Sequence, residues 1–162
     1  MAYDAFLKLK GVGGEATASG HEGEINIESF SWGVSNNVTR GSSGGFGAGK
    51  ADLSDITVTK VVDKSSALLF QHAATGKHFP NAYITCRKAG EKPLEYLKYE
   101  FDSVFITSVK INGDGRTDDT PTEEISFSFG KVVITYTPQN KDGSAGSPLV
   151  GSFDKLAGTA GS

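Results

Sequence analysis

The sequence predicts a mainly β fold, closed or nearly closed, with one helix packed on its outside. Most segments that look structured alternate apolar and polar residues with a period of two, which is the pattern of half-buried strands. One stretch shows helical spacing instead. Turn-forming residues at 89–93 and 112–115 separate the later strands, as expected of antiparallel connections.

The strands follow one another along a single domain, residues 1–157. The first has four apolar residues on one face and Phe6 interrupting the other; the four are Tyr3, Ala5, Leu7 and Leu9. Further strands are predicted at residues 56–62, 82–88, 94–111 and 125–137, and the 94–111 strand is long enough to bend. A last edge strand is predicted from the apolar residues Leu149, Val150, Phe153 and Leu156, before a frayed tail at 158–162.

The helix is predicted at about residues 64–75. Leu69, Phe70 and Ala73 fall on one helical face of this segment. Asp63 or Ser65 could cap its first turn, and Gly76 is a typical stop.

Two predicted strands change their apolar face halfway along. In residues 21–33, Ile25 and Ile27 share one parity, whereas Phe30 and Trp32 share the other; a second switch occurs at Gly130. A β-bulge at a barrel corner would aim both sets into the same core. Alternatively, the domain's own core covers one face and another copy of the chain covers the other.

The phase switch also predicts a smooth outer surface. If Phe30 and Trp32 point into the core, Ser29 and Ser31 must face outward, because successive side chains of a strand alternate between its two faces. Short hydroxyl side chains would then line that surface.

Residues 39–55 are predicted to form a long glycine-rich arm. The segment is too long for a tight turn, and loops of this length are usually functional or disordered. We interpret it as an arm that reaches a neighbouring subunit with Phe46 as its apolar anchor; an arm folded back on its own barrel, or a mobile one, is the competing interpretation. Its candidate interface residues are Gly41, Gly44, Gly45, Phe46, Gly47, Gly49, Lys50 and Asp52.

The motifs that could indicate chemistry are each incomplete. Residues 44–51 have the glycine and lysine spacing of a phosphate-binding loop, but Ala51 stands where Ser or Thr should hold magnesium, and no helix follows. Residues 112–123 resemble a calcium loop in which Thr117 replaces the required glycine. His21, His72 and His78 lack zinc spacing, so each is predicted to be solvated or singly hydrogen-bonded. We predict no catalytic residues, no metal and no cofactor.

The charge and hydropathy of the sequence argue against nucleic acid as a partner and against insertion into a membrane. Lys and Arg total 16 against 19 Asp and Glu, a net charge of -3, which leaves no basic field for a nucleic-acid backbone. No apolar run is long enough to cross a bilayer, and residues 1–14 lack the features of a signal peptide. The one cysteine, Cys86, is predicted to be a small buried hydrophobic residue.

Five segments, in order and at matching spacing, resemble the haemolysin-coregulated protein (Hcp) family of the bacterial type VI secretion system. They are HEGEINIESFSWG, GAGKADLSDITVTKVVDKSS, GKHFPNAYITCRKAG, PLEYLKYEFDSVFITSV and EEISFSFGKVVITYTPQ. The resemblance implies a two-sheet antiparallel β-barrel that assembles into hexameric rings, and rings that stack into a hollow tube. It further implies a contractile sheath around the tube, a spike protein at its tip, and small effector proteins carried in the lumen.

The resemblance places Ser31, and with it Ser29, on the lumen wall where effectors bind. It also implies assembly in the bacterial cytoplasm, followed by secretion without a cleaved signal peptide, and a structural rather than an enzymatic role. Three different classes of protein compete with this interpretation. A phage tail-tube protein would share the ring architecture, a β-sandwich module could bind carbohydrate through Tyr83, Tyr96 and Tyr99, and a nucleotide-dependent enzyme could use residues 44–51.

Overall fold

The computed structural model describes residues 3–40, 46–90 and 93–161, which form twelve strands and one helix. The helix, α1, is Ser66–Thr75. The strands are β1 Tyr3–Leu9, β2 Ile25–Ile27, β3 Ser29–Ser31, β4 Val34–Arg40, β5 Phe46–Leu53, β6 Ile56–Val61, β7 His78–Lys88, β8 Glu95–Asn112, β9 Thr122–Ser128, β10 Lys131–Tyr136, β11 Leu149–Asp154 and β12 Thr159–Gly161.

The strands form two layers that share β8. The first layer has the order β12-β11-β10-β8-β7-β1-β2, and the second consists of β3, β6, β9 and the C-terminal part of β8. Strands β4 and β5 pair with each other as a separate two-stranded sheet. Every pairing among these strands is antiparallel, as the turn chemistry predicted.

The mainly β fold with one helix is confirmed, but the sheets are open, so the prediction of a closed barrel is wrong. Among the described strands, the first layer ends at β2 and β12, and the second ends at β3. The layers meet between β2 and β3 through the chain itself: β2 pairs with β1, whereas β3 pairs with β6. Only the chain itself therefore connects β2 to β3 at this corner, whereas a closed barrel would have hydrogen bonds between neighbouring strands there.

The long strand β8 bends where it passes from one layer to the other. Its residues 97–102 pair with β10, and residues 105–112 pair with β9. Ser103 lies between them with a φ of 56°, in the left-handed region. The backbone N–H of Gly130 donates to the Asp102 carbonyl at 2.8 Å, which fixes the β9–β10 connection at the same corner.

Both phase switches aim side chains into one core. Ile25 and Ile27 are buried, and Phe30 and Trp32 pack against the same cluster. At the second switch, Phe127 and Phe129 precede Gly130 and Val132 follows it, and all three apolar residues are buried in that core. Each switch is thus a change of pairing partner at a corner, close to the bulge interpretation.

Helix α1 lies at the predicted position, but one of the three residues assigned to its apolar face is exposed. Leu69 is fully buried, and Ala73, one turn later, packs against the core. Phe70 is 62% exposed because it lies 100° around the helix from Leu69. Gly76 ends the helix in the left-handed conformation, and the backbone N–H of Ser65 donates to Asp63 Oδ1 at 2.9 Å.

The C-terminal segment corrects two details. Strand β11 is present, but Leu156 lies beyond it and is 87% exposed. The tail expected to fray contains β12, which pairs with residues 152–154 of β11.

Candidate functional site

The outer surface of the second layer contains the two serines predicted to face outward. Strand β3 is held in place from behind, because Trp32 makes edge-to-face contacts with Tyr99, Phe101 and Phe129 at centroid distances of 5.3, 5.8 and 5.9 Å. Ser29 and Ser31 are therefore exposed on the opposite face.

The strand registers extend this face into two parallel rows. Ser31 lies opposite Thr57, Thr57 opposite Ser126, and Ser126 opposite Ser108. We call these four residues the hydroxyl row. The Thr57 and Ser126 hydroxyls lie 2.8 Å apart and hydrogen-bond each other.

The second row runs beside the first on the same face. Ser29 lies opposite Thr59, Thr59 opposite Glu124, and Glu124 opposite Lys110. A carboxylate and an ammonium group on neighbouring strands offset each other's charge. The two rows together carry no net charge.

The outer surface of the first layer differs in character. There Arg87 Nε lies 3.4 Å from Asp4 Oδ2, and Lys131 lies opposite both Asp102 and Asp154 across the ladders. One outer surface is thus charged, and the other is lined by hydroxyl groups.

The arm residues belong mainly to the β4–β5 hairpin. Phe46, Gly47, Gly49, Lys50 and Asp52 lie in β5, so the lysine of the phosphate-loop pattern is in a strand and not at the start of a helix. Gly41, Gly44 and Gly45 lie outside the described residues. At Gly49, a side chain would meet the Asn37 carbonyl at 2.1 Å, which accounts for glycine at this close approach.

The base of the hairpin borders a groove of about 440 Å³. Lys50 and Asp52 line one side of it, and Phe153, Lys155 and Gly158 of the C-terminal segment line the other. The base of the arm therefore lies next to the turn between β11 and β12 of the first layer.

A buried ionic cluster joins the second layer to α1. Lys60 and Glu123 are both 0% exposed, and Lys60 Nζ lies 3.5 Å from Glu123 Oε2 and 3.0 Å from Asp63 Oδ1. Its third neighbour is Ser66 Oγ, at 3.4 Å. Glu123 Oε1 is buried and has no hydrogen-bond partner among the described residues.

Sequence reasoning missed this cluster, although a signal was present. Lys60 shares its strand parity with Ile56 and Val58, and Glu123 shares its parity with Ile125 and Phe127. A charged residue on the apolar face of each of two strands indicates a buried pair.

The histidine prediction is wrong for His21. Its ring is buried and stacks on Phe6 at a centroid distance of 4.5 Å. Nδ1 lies 2.9 Å from Glu24 Oε2, and Nε2 lies 2.5 Å from Glu95 Oε1. His21 thus joins the 13–24 loop to β8.

The remaining candidate chemical groups are inert or separated. Burial raises the pKa of the Cys86 thiol to about 11, which keeps it protonated at neutral pH. Tyr83 faces outward, where its hydroxyl lies 3.4 Å from Glu100 Oε1, whereas Tyr96 and Tyr99 pack against the core. Burial, and then the neighbouring Glu100 carboxylate, raise the pKa of Tyr83. The three tyrosines do not share one cleft.

Residues 3–40, 46–90 and 93–161 bring together no group of three or more His, Cys, Asp or Glu side chains that could hold a metal ion. The ten-residue helix in these ranges is not long and apolar enough to cross a membrane.

Comparisons with known proteins show that this chain is a mainly β protein of type VI secretion. Residues 6–136 match the family described as "Type VI secretion system effector, Hcp". The structure is similar to one described as a type six secretion system protein, with a TM-score of 0.93 and 30% identity over 99% of this chain and 100% of that one. It is also similar to Hcp1 from Salmonella typhimurium, with a TM-score of 0.80 and 30% identity over 99% of both chains.

A sequence relative agrees with the structures. Protein hcp1 of Pseudomonas aeruginosa is 39% identical over 151 residues, which cover 92% of this chain and 93% of that protein. The chain belongs to the Hcp family of type VI secretion proteins. The family consists of structural, secreted tube proteins and is not known for enzymatic activity.

Proposed function

We propose that this chain is the ring subunit of a type VI secretion tube. Copies associate into hexameric rings, the rings stack into a hollow tube, and small effector proteins are carried in the lumen. The observation that carries the proposal is the agreement in fold with type VI proteins along 99% of the chain.

The open sheets support ring formation. A closed ring needs two different patches on each copy that meet each other. Strand β12 covers only residues 152–154 of β11, so the edge at residues 149–151 lacks a partner strand among the described residues. Exposed apolar side chains lie at this edge: Leu149 and Val150 belong to it, and Tyr136 lies opposite Leu149 on β10. In the ring, a strand of the next copy would pair with this edge, and its side chains would cover the exposed apolar residues.

The arm supplies a second contact in this proposal. The β4–β5 hairpin pairs with no other described strand and begins with Val34, which is 65% exposed. It reaches the adjacent protomer or the next ring. Deleting residues 44–49 should leave a folded domain, with unchanged circular dichroism, that assembles poorly. Undiminished rings and tubes after the deletion would discard this role for the arm.

The hydroxyl-lined surface forms the lumen wall in this proposal, with Ser29 and Ser31 exposed on it. Ser31→Gln places a longer side chain in the bore, so we expect weaker retention of a co-expressed effector while hexamers persist. Ser19→Gln is the matched control, because Ser19 is an exposed serine in the 13–24 loop, beside Arg87 of the first layer. Equal loss in both variants would count against the lumen assignment.

The proposal also places the protein in the cell. The subunit assembles in the bacterial cytoplasm inside a contractile sheath, behind a spike protein, and leaves through the secretion system without a cleaved signal peptide. The charged outer surface of the first layer faces away from the lumen.

Negative-stain electron microscopy with light scattering tests the proposal directly. Purified protein should show annular particles and a mass several times that of the 17.0 kDa chain. A 17.0 kDa species at every concentration and in every buffer, without annular images, would overturn it.

A further inference from the structure

We infer that effector recognition extends from Ser31 along the whole hydroxyl row and works through uncharged hydrogen bonds. This inference rests on the proposed function, since it assumes that the outer surface of the second layer faces the lumen. The partner is a small folded protein that presents polar, uncharged groups, chiefly amides and backbone carbonyls.

The row is continuous across four neighbouring strands. Ser31, Thr57, Ser126 and Ser108 stand directly opposite one another on β3, β6, β9 and β8. Neighbouring strands lie about 4.8 Å apart, so the row spans about 14 Å. That width matches the contact made by one helix or one extended segment of a partner.

The row retains unused hydrogen-bonding capacity. A hydroxyl group donates one hydrogen bond and accepts two. The contact between Thr57 and Ser126 uses one of their two protons, which leaves one donor and free acceptor sites on the pair. Ser31 and Ser108, at the ends of the row, are exposed. Each copy therefore offers donors and acceptors to whatever lies above the sheet.

The absence of ionisable residues within the row favours an uncharged partner surface. The hydroxyl row contains no ionisable residue, and in the neighbouring row Glu124 lies opposite Lys110. On the other side of the row, the Asp55 carboxylate accepts a hydrogen bond from the Thr107 hydroxyl at 2.8 Å. The first layer carries its ionic groups on its outer surface, where Arg87 pairs with Asp4. A charged group of a partner would find no counter-ion within the row, whereas the hydroxyl groups can pair with neutral donors and acceptors.

The experiment measures binding of a purified, tagged type VI effector of the source bacterium to assembled rings. Thr57→Val and Ser126→Ala each remove one hydroxyl with little change of shape. Each should weaken binding about fivefold, the effect of one ordinary hydrogen bond. Thr17→Val is the matched control, because Thr17 is an exposed threonine of the 13–24 loop, beside β1 of the first layer. It should leave binding unchanged.

Salt dependence is the second measurement. Because hydroxyl contacts are neutral, binding should change less than about twofold between roughly 50 mM and 500 mM NaCl. A steep loss with salt, or full retention by both hydroxyl variants, would overturn the inference.

The two proposals fail differently. If rings form and Ser31→Gln releases the effector while Thr57→Val and Ser126→Ala do not, the hydroxyl row is excluded and the tube function stands. If the wild-type protein forms no rings, or its rings bind no effector, the inference is overturned; the absence of rings also overturns the proposed function.

Discussion

Replacing Lys60 with Met should destabilise the domain by about 3–5 kcal/mol, the cost of breaking a buried ion pair on one side. The Lys60 ammonium has three donors and three neighbours, Asp63 Oδ1, Glu123 Oε2 and Ser66 Oγ, at 3.0, 3.5 and 3.4 Å. Without it, the Asp63 and Glu123 carboxylates lose their shared cation in a region where Lys60 and Glu123 are 0% exposed. A domain of this size has a total stability of about 5–15 kcal/mol, so the change is large.

The double variant Lys60→Met/Glu123→Leu separates charge from packing. Lys60 and Glu123 are direct cross-strand partners, so two apolar side chains of similar volume can take their places. Asp63 retains the Ser65 backbone N–H as a donor. The double variant should recover part of the loss, because it also removes the unpaired Glu123 carboxylate and well-packed apolar pairs often equal a buried ion pair in stability. Asp63, 3.0 Å from Lys60 Nζ in the native protein, still lacks its cation.

Urea unfolding followed by fluorescence provides the assay, since Trp32 is the one tryptophan of the chain and packs against the core. Samples are kept dilute enough to be monomeric by light scattering, because assembly would add to the apparent stability. The interpretation fails if Lys60→Met costs less than about 1 kcal/mol, or if the two single losses add in the double variant.

Three further predictions concern the corner of β8 and the buried thiol. Ser103→Gly should stabilise the domain by about 0.5–1 kcal/mol in the same urea assay, because its φ of 56° suits glycine; a loss of stability would contradict this. Gly130→Ala should cost about 1–3 kcal/mol, since the added Cβ would lie 3.2 Å from Ser103 Cβ, and the cost should fall when Ser103 is glycine. Cys86 should react with a thiol reagent at about pH 8 only after unfolding, because its pKa of about 11 and its burial keep it neutral and covered; rapid labelling of the native protein would refute this.

The alternation of side chains was enough to predict most strands and the orientation of Ser31. Parity turned Ser29 and Ser31 outward because Phe30 and Trp32 had to be buried, and the structure shows both serines exposed. Local pattern also located α1 through Gly76. These features depend on neighbours in the chain, which a sequence displays directly.

The features that were missed depend on residues far apart. The sheets are open because β2 pairs with β1, whereas β3 pairs with β6. The alternation of apolar and polar residues along a strand does not reveal which strand it pairs with. Thr57, Ser126 and Ser108 form a row only through the register of three ladders. The second partner of His21, Glu95, lies 74 residues along the chain.

Strand β8 runs through both layers of this protein as one continuous backbone and bends at Ser103. Sliding one layer past the other would require stretching covalent bonds, not merely parting hydrogen bonds. A domain joined in this way resists shear between its layers, so a force applied to one layer is transmitted directly to the other.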